Sequence, residues 1–207
     1  MDGLRDFGVI PIDYALLGSI LSEYRSPRNK VAAMERSGDL VRLKRGLYVV
    51  SPKVSGRIIS SELIANHIYG PSYLSMESAL RYYGLIPESV YALRSMTLKR
   101  SKAFENQIGR FDYTFCPADY YSIGICQHSY NDYTFLIASA EKALCDLINY
   151  TPLLNPRFVK SMSQFLEEDL RLDMDEFYKM DVAIFRDCAR VSKKRQDINN
   201  LIKLLER

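Results

Sequence analysis

The 207-residue chain has no tryptophan, four cysteines and two histidines, and no long apolar run. Each scarcity excludes something. A membrane helix needs about eighteen or more consecutive apolar residues, so no span is expected. The opening MDGLRDFGVIPID mixes acids with apolar residues and has no basic-then-apolar leader, so no secretory signal is expected. Cys116, Cys126, Cys145 and Cys188 form no CxxC pair, and only His67 and His128 could join them as metal ligands. Reduced, mostly buried thiols are expected rather than a zinc site or a disulfide frame, and with them a cytoplasmic location. The phosphate-cradling, dinucleotide and nucleophile-elbow glycine motifs are missing too, so no cofactor and no enzymatic activity are expected.

What is present is an ordinary globular composition, 47% apolar and 26% charged, rich in tyrosine and phenylalanine. It suffices for a core without staples. The net charge of +3 hides an uneven distribution. Between Tyr24 and Arg57 lie Arg25, Arg28, Lys30, Arg36, Arg42, Lys44, Arg45, Lys53 and Arg57, opposed only by Glu35 and Asp39. A local positive field on a near-neutral protein suits a polyanion, although a solvated basic face would look the same by charge alone.

Local signals then order the chain. Ile12–Tyr24 has helical apolar spacing behind Asp13, a plausible cap. In SPRNKVAAMERSGDL, Ser26 can cap, Pro27 suits the first helical position and Gly38 suits the stop. Leu40–Leu43 and Leu47–Val50 read as strands joined by Lys44-Arg45-Gly46, with Gly46 supplying a positive φ. Helix, turn, helix and a basic-tipped hairpin predict a winged helix-turn-helix over residues 1–55, and SPKVSG (Ser51–Gly56) reads as the linker out of it. Residues 56–207 predict a mixed domain: helices at Ser60–Tyr69 and Ser75–Tyr83, strands at Leu93–Leu98, Arg110–Cys116 and Tyr133–Ile137, then a helix capped by Ser139. From Asn155 the pattern is helical, with breaks near Asp173 and Ser192. The fold class expected is α+β, with an antiparallel sheet and a helical C-terminal region.

On the Pro27–Ser37 helix, Val31 and Met34 mark the buried side. Asn29, Ala32, Ala33 and Arg36 lie opposite, with Arg28 and Lys30 on the flanks. Small alanines permit close approach to a major groove, asparagine can pair with adenine and arginine with guanine. Flanking cations and the helix N-terminus can hold phosphates. The DNA-binding residues expected are Ser26, Arg28, Asn29, Lys30, Ala33 and Arg36 on the helix, with Arg42, Lys44 and Arg45 on the wing for phosphate or minor-groove contact.

Three blocks of the sequence resemble the AbiEi-type antitoxins, also described as transcriptional regulators. SPRNKVAAMERSGDLVRLKRGLYV is similar to that family's winged-helix core, YLSMESALRYYGLIPES to its YxSxxSALxxxGLIPE block, and FLIASAEKALCDLI to its IAxxEKALxDL block. With IGRFDYTF between them, the resemblance spans roughly Ile12 to Tyr150. It implies a wing domain that binds double-stranded DNA at inverted repeats in its own promoter and represses its operon. It also implies a C-terminal domain that antagonises a nucleotidyltransferase-like toxin, as a functional or a physical partner.

Two features stay outside that reading. Glu141-Lys142 near Asp146 could suggest a nuclease's acid–lysine set. The helical pattern instead puts Glu141 in a first turn and pairs Lys142 with Asp146 at i,i+4. The stretch Glu167–Asp181 holds seven acids against Arg171 and Lys179, either a solvated face or a dock for a basic partner. The alternatives to an antitoxin are a plain winged-helix transcription factor without a toxin and a DNA-targeted nuclease.

Overall fold

A computed structural model describes residues 2–87, 91–130 and 132–206. Glu88 and Ser89 of the second resemblance block lie outside these. The fold is α+β, as expected.

The first layer is small. After α1 (Asp2–Arg5), a short β1 (Ile12–Asp13) leads directly into α2 (Tyr14–Ile20). Asp13 caps this helix, as expected, and the residues before it join the sheet. Ile12 and Asp13 pair with Tyr48 and Leu47 in the sheet, and the helix begins only where the Asp13 carboxylate accepts from the Leu16 amide. Next comes α3 (Pro27–Arg36). Ser26 caps it through the Asn29 amide, Pro27 occupies the first turn and Gly38 ends it at φ +74°. The hairpin of β2 (Leu40–Lys44) and β3 (Leu47–Val50) turns at Gly46, φ +78°. Together with β1 it makes an antiparallel sheet of order β1-β3-β2. Leu17, Leu21, Val31, Met34, Leu40 and Val50 fill the core beneath.

The expected linker is instead an ordered turn. Residues Pro52–Ser55 form α4, closed by Gly56 in the left-handed region and held against α1 by a hydrogen bond from Arg5 Nε to the Val54 carbonyl, 3.2 Å. Proline at a first helical position and glycine after the last favour one helical turn as readily as a flexible link.

The second layer centres on a six-stranded sheet of order β6-β7-β5-β4-β9-β8, built from β4 (Ser72–Leu74), β5 (Ala92–Thr97), β6 (Lys102–Asn106), β7 (Gly109–Phe115), β8 (Ile125–Tyr130) and β9 (Tyr133–Ala138). An antiparallel sheet was expected; this one is mixed, with β4 parallel to β9 and β5 parallel to β7. The chain carries β6 past β5 to the sheet edge, and β7 returns between them. Helices α5 (Ser61–Ile68), α6 (Met76–Tyr82), α7 (Ala118–Tyr121) and α8 (Ala140–Tyr150) cover the sheet. The C-terminal elements are α9 (Val159–Gln164), a π-helical turn (Phe165–Asp169), α10 (Met174–Phe177), α11 (Val182–Val191) and α12 (Arg195–Leu205).

The two layers share the small sheet. One face rests on its own core, while Leu43 and Val49 belong to the large core. The Lys44 ammonium donates to the Ile68 carbonyl, and Asn106 Nδ2 to the Leu43 carbonyl at 3.0 Å.

Helix α8 carries the least expected feature. Its Lys142–Asp146 pair forms at i,i+4, 3.3 Å apart, but both side chains have 0% exposure. The Lys142 ammonium also donates to the Tyr120 carbonyl at 2.8 Å and lies 3.2 Å from the Tyr120 ring centroid. Asp146 Oδ2 accepts from Ser75 Oγ at 2.6 Å and Tyr73 OH at 3.1 Å. Burial holds the Asp146 carboxyl above the usual carboxylate range, against the pull of Lys142. Ser75, expected to cap α6, sits at the cap position but its hydroxyl serves Asp146 instead. Gly124, φ +60°, lets the chain pass Lys142 so closely that an added Cβ would lie 2.9 Å from the Lys142 Cβ. All four cysteines are free thiols, three of them buried.

Candidate nucleic-acid interface

The candidate interface is built around α3. Val31 and Met34 are buried, at 2% and 3% exposure, against α2 and the small sheet. That fixes the helix rotation and leaves Arg28, Asn29, Ala32, Ala33 and Arg36 exposed on the opposite side. The two alanines give this face a low profile between longer polar side chains. The Arg28 and Asn29 side chains form no hydrogen bond or ion pair with the described residues. Arg36 folds back over the helix, Nε 3.3 Å from the Ala32 carbonyl, and stays exposed.

The hairpin stands beside this face. A groove of about 410 Å³ runs between them, lined by Arg28, Ala32, Glu35, Arg42, Arg45 and Tyr48 among others. Arg42 reaches across to Glu35 at 3.8 Å. At such a distance and exposure the pair contributes little stability but orients Arg42 along the groove. Arg45, at the turn, is exposed and makes no ion pair with the described residues. Three arginines thus face one groove.

The remaining expected site residues are placed differently. Ser26 spends its hydroxyl on the Asn29 amide at 3.4 Å and remains at the N-terminus of α3. Lys30 is half-buried, its ammonium 4.8 Å from the Tyr24 ring centroid. Lys44 points away from the groove, onto the Ile68 carbonyl. Burial lowers the pKa of this ammonium, and repulsion from Lys99 and Lys102 lowers it further. The structure therefore brings Arg28, Arg42 and Arg45 to one groove, leaves Asn29, Ala33 and Arg36 exposed on the same helix, and separates Lys44 from them. A strand register change between Arg42 and Lys44 accompanies that separation. No local sequence signal reports such a change.

No metal-binding group of histidine, cysteine or acidic side chains occurs among the described residues. No helix among them is long and apolar enough to cross a membrane. No family model matches the sequence, and no curated protein matches it significantly. Among solved structures, the crystal structure of the Rv2827c protein from Mycobacterium tuberculosis aligns with 99% of this chain and 78% of that chain, with a TM-score of 0.51 at 14% identity. At that identity the likeness concerns the fold alone.

Proposed function

We propose that the chain is a DNA-binding transcriptional regulator whose first 55 residues act as a winged helix-turn-helix. The observation that carries this is the uncommitted polar face of α3, with Arg28 and Asn29 free, set beside a hairpin that turns Arg42 and Arg45 into the same groove. A groove-reading helix needs small residues for approach, side chains able to pair with base edges, and cations for phosphates. This surface has all three.

The three sequence blocks similar to AbiEi-type antitoxins extend the proposal. The chain represses its own operon through inverted repeats, and residues 56–207 antagonise a nucleotidyltransferase-like toxin. The regulator reading is preferred to a nuclease because Lys142 and Asp146, the candidate acid–lysine pair, have 0% exposure.

Anisotropy titrations of the full chain on a duplex from its own upstream region, against a random duplex, test the regulator. Preference for the upstream duplex is expected; equal or absent binding overturns it. Co-expression with a neighbouring nucleotidyltransferase-like reading frame, scored by growth, tests the antitoxin. Rescue is expected, and no rescue leaves the plain regulator.

A further inference from the structure

An apolar cleft lies away from the basic N-terminal surface, in the second layer. It has a volume of about 430 Å³ and opens between α6, the start of β5, the end of α8 and the π-helical turn. Ile86, Tyr91, Leu147, Leu154 and Phe165 supply most of its wall. That volume falls in the range that accommodates specific ligands or anchoring side chains.

Three observations mark it as a surface left incomplete. Tyr91, which lines the cleft, is 98% exposed. An apolar ring left open beside an apolar cleft suits an interaction site. Thr151 Oγ1 is buried in the wall without any hydrogen-bond partner, and buried hydroxyls ordinarily have one. The π-helical turn that contributes Phe165 and Asp169 is a rare geometry found mainly at functional positions.

The charges at the cleft select its occupant. Glu77 is neutralised by Arg94, whose Nη1 lies 2.7 and 2.8 Å from the two carboxylate oxygens. Asp169, at the rim, has no partner among the described residues. On the same turn Glu167 and Glu168 accept only from the neutral Ser163 hydroxyl and Gln164 amide. The cleft is apolar inside and carries the unpaired Asp169 carboxylate at its rim, so an apolar occupant with a cation beside its apolar anchors is favoured.

We propose that this cleft docks a basic amphipathic helix of a protein partner. Apolar side chains from successive turns of that helix fill the cleft, and a nearby lysine or arginine pairs with Asp169. Helices with apolar anchors at i, i+3, i+4 and i+7 use grooves of this kind. The proposal is independent of the DNA reading.

The test uses the full chain and a fluorescent synthetic helix of leucine and lysine, about four turns long, with leucines on one face. The controls are a scrambled peptide of equal composition and a glutamate-for-lysine counterpart. Anisotropy should show the amphipathic basic peptide binding at least about tenfold more tightly than either control. Leu154→Glu, and separately Glu168→Gln with Asp169→Asn, should each weaken it by about tenfold or more while leaving DNA affinity unchanged. The second variant changes only surface groups, so it remains informative if Leu154→Glu fails to fold. Equal binding by the scrambled peptide, or unaltered binding by the acid variant, overturns the proposal. A concentration-dependent dimer in light scattering that Leu154→Glu abolishes also overturns it, because a second copy would then cover the cleft. Loss of DNA preference in the wild type alone would sink the regulator reading and leave this one standing.

Discussion

The two layers of this protein treat cations in opposite ways. In the N-terminal layer the core is purely apolar, and Arg28 and Arg45 stand outside it without partners among the described residues. In the larger layer Lys142 is sunk into the centre and held by Asp146, the Tyr120 carbonyl and the Tyr120 ring. Lys44 sits between the two regimes: it rises from the small sheet, yet its ammonium is bound by the larger layer. A count of basic residues cannot separate these cases. What separates them is whether the structure has buried the charge: an exposed cation, whether unpaired like Arg28 and Arg45 or weakly paired like Arg42, is available to a ligand, and a buried one is not.

The sharpest break of the comparison is to cut the layers apart. A fragment ending at Gly56 exposes Leu43 and Val49, now 2% and 0% accessible. Burying each such side chain contributes about 1.5–3 kcal/mol. The fragment should therefore be about 3–6 kcal/mol less stable than the same unit in the full chain, and should bind DNA more weakly without rescuing cells from a toxin. The complementary fragment, Arg57–Arg207, should rescue without binding the operator. Thermal melts, titrations and growth assays of the two fragments check this, and rescue by the first fragment would end the division of labour.

The buried pair comes next. Lys142→Met or Asp146→Asn should cost about 3–5 kcal/mol in urea unfolding, because each leaves a partner uncompensated in the core. The double variant should cost less than the sum of the two. Additive losses would mean that the two groups do not act as a pair.

Smaller effects belong to the proposed DNA surface. Asn29→Ala and Arg36→Ala should each lose about 1–3 kcal/mol on the upstream duplex and far less on random DNA. Equal losses on both would make them phosphate clamps and would revise the orientation of α3 on DNA. The smallest change separates neighbours on the wing. Arg45→Ala should lower the salt slope of binding by about one unit, whereas Lys44→Ala should leave that slope alone and reduce stability slightly. A slope change of the same size in both would put Lys44 back at the DNA.

Much of the N-terminal layer was legible because its signals are local. Asp13, Ser26 with Pro27, Gly38 and Gly46 each act within a few residues, and each sits where its chemistry requires. The α8 helix was legible for the same reason, through Ser139 and its apolar spacing. Strands β6 and β8 were missed: KAFEN and ICQHSY lie at the sheet edges, carry many exposed residues and show little apolar alternation. The burial of Lys142 was equally invisible, since it depends on Tyr120, Tyr73 and Ser75, all distant in sequence. At the candidate interface, the outward side of α3 followed from Val31 and Met34. The turning of Lys44 onto Ile68 did not, because no local pattern reports a contact twenty-four residues away.

The proposed regulator holds DNA in the groove between α3 and the hairpin through arginines that the fold leaves exposed, Arg28, Arg42 and Arg45. The most direct test is a salt series of anisotropy titrations on the upstream duplex, comparing the full chain with an Arg28→Ala, Arg42→Ala, Arg45→Ala variant. The account predicts preferential binding by the unaltered chain and, for the variant, a salt slope smaller by about three units with weaker binding at every salt concentration. An unchanged slope and affinity in the variant, with its fold intact, would contradict it.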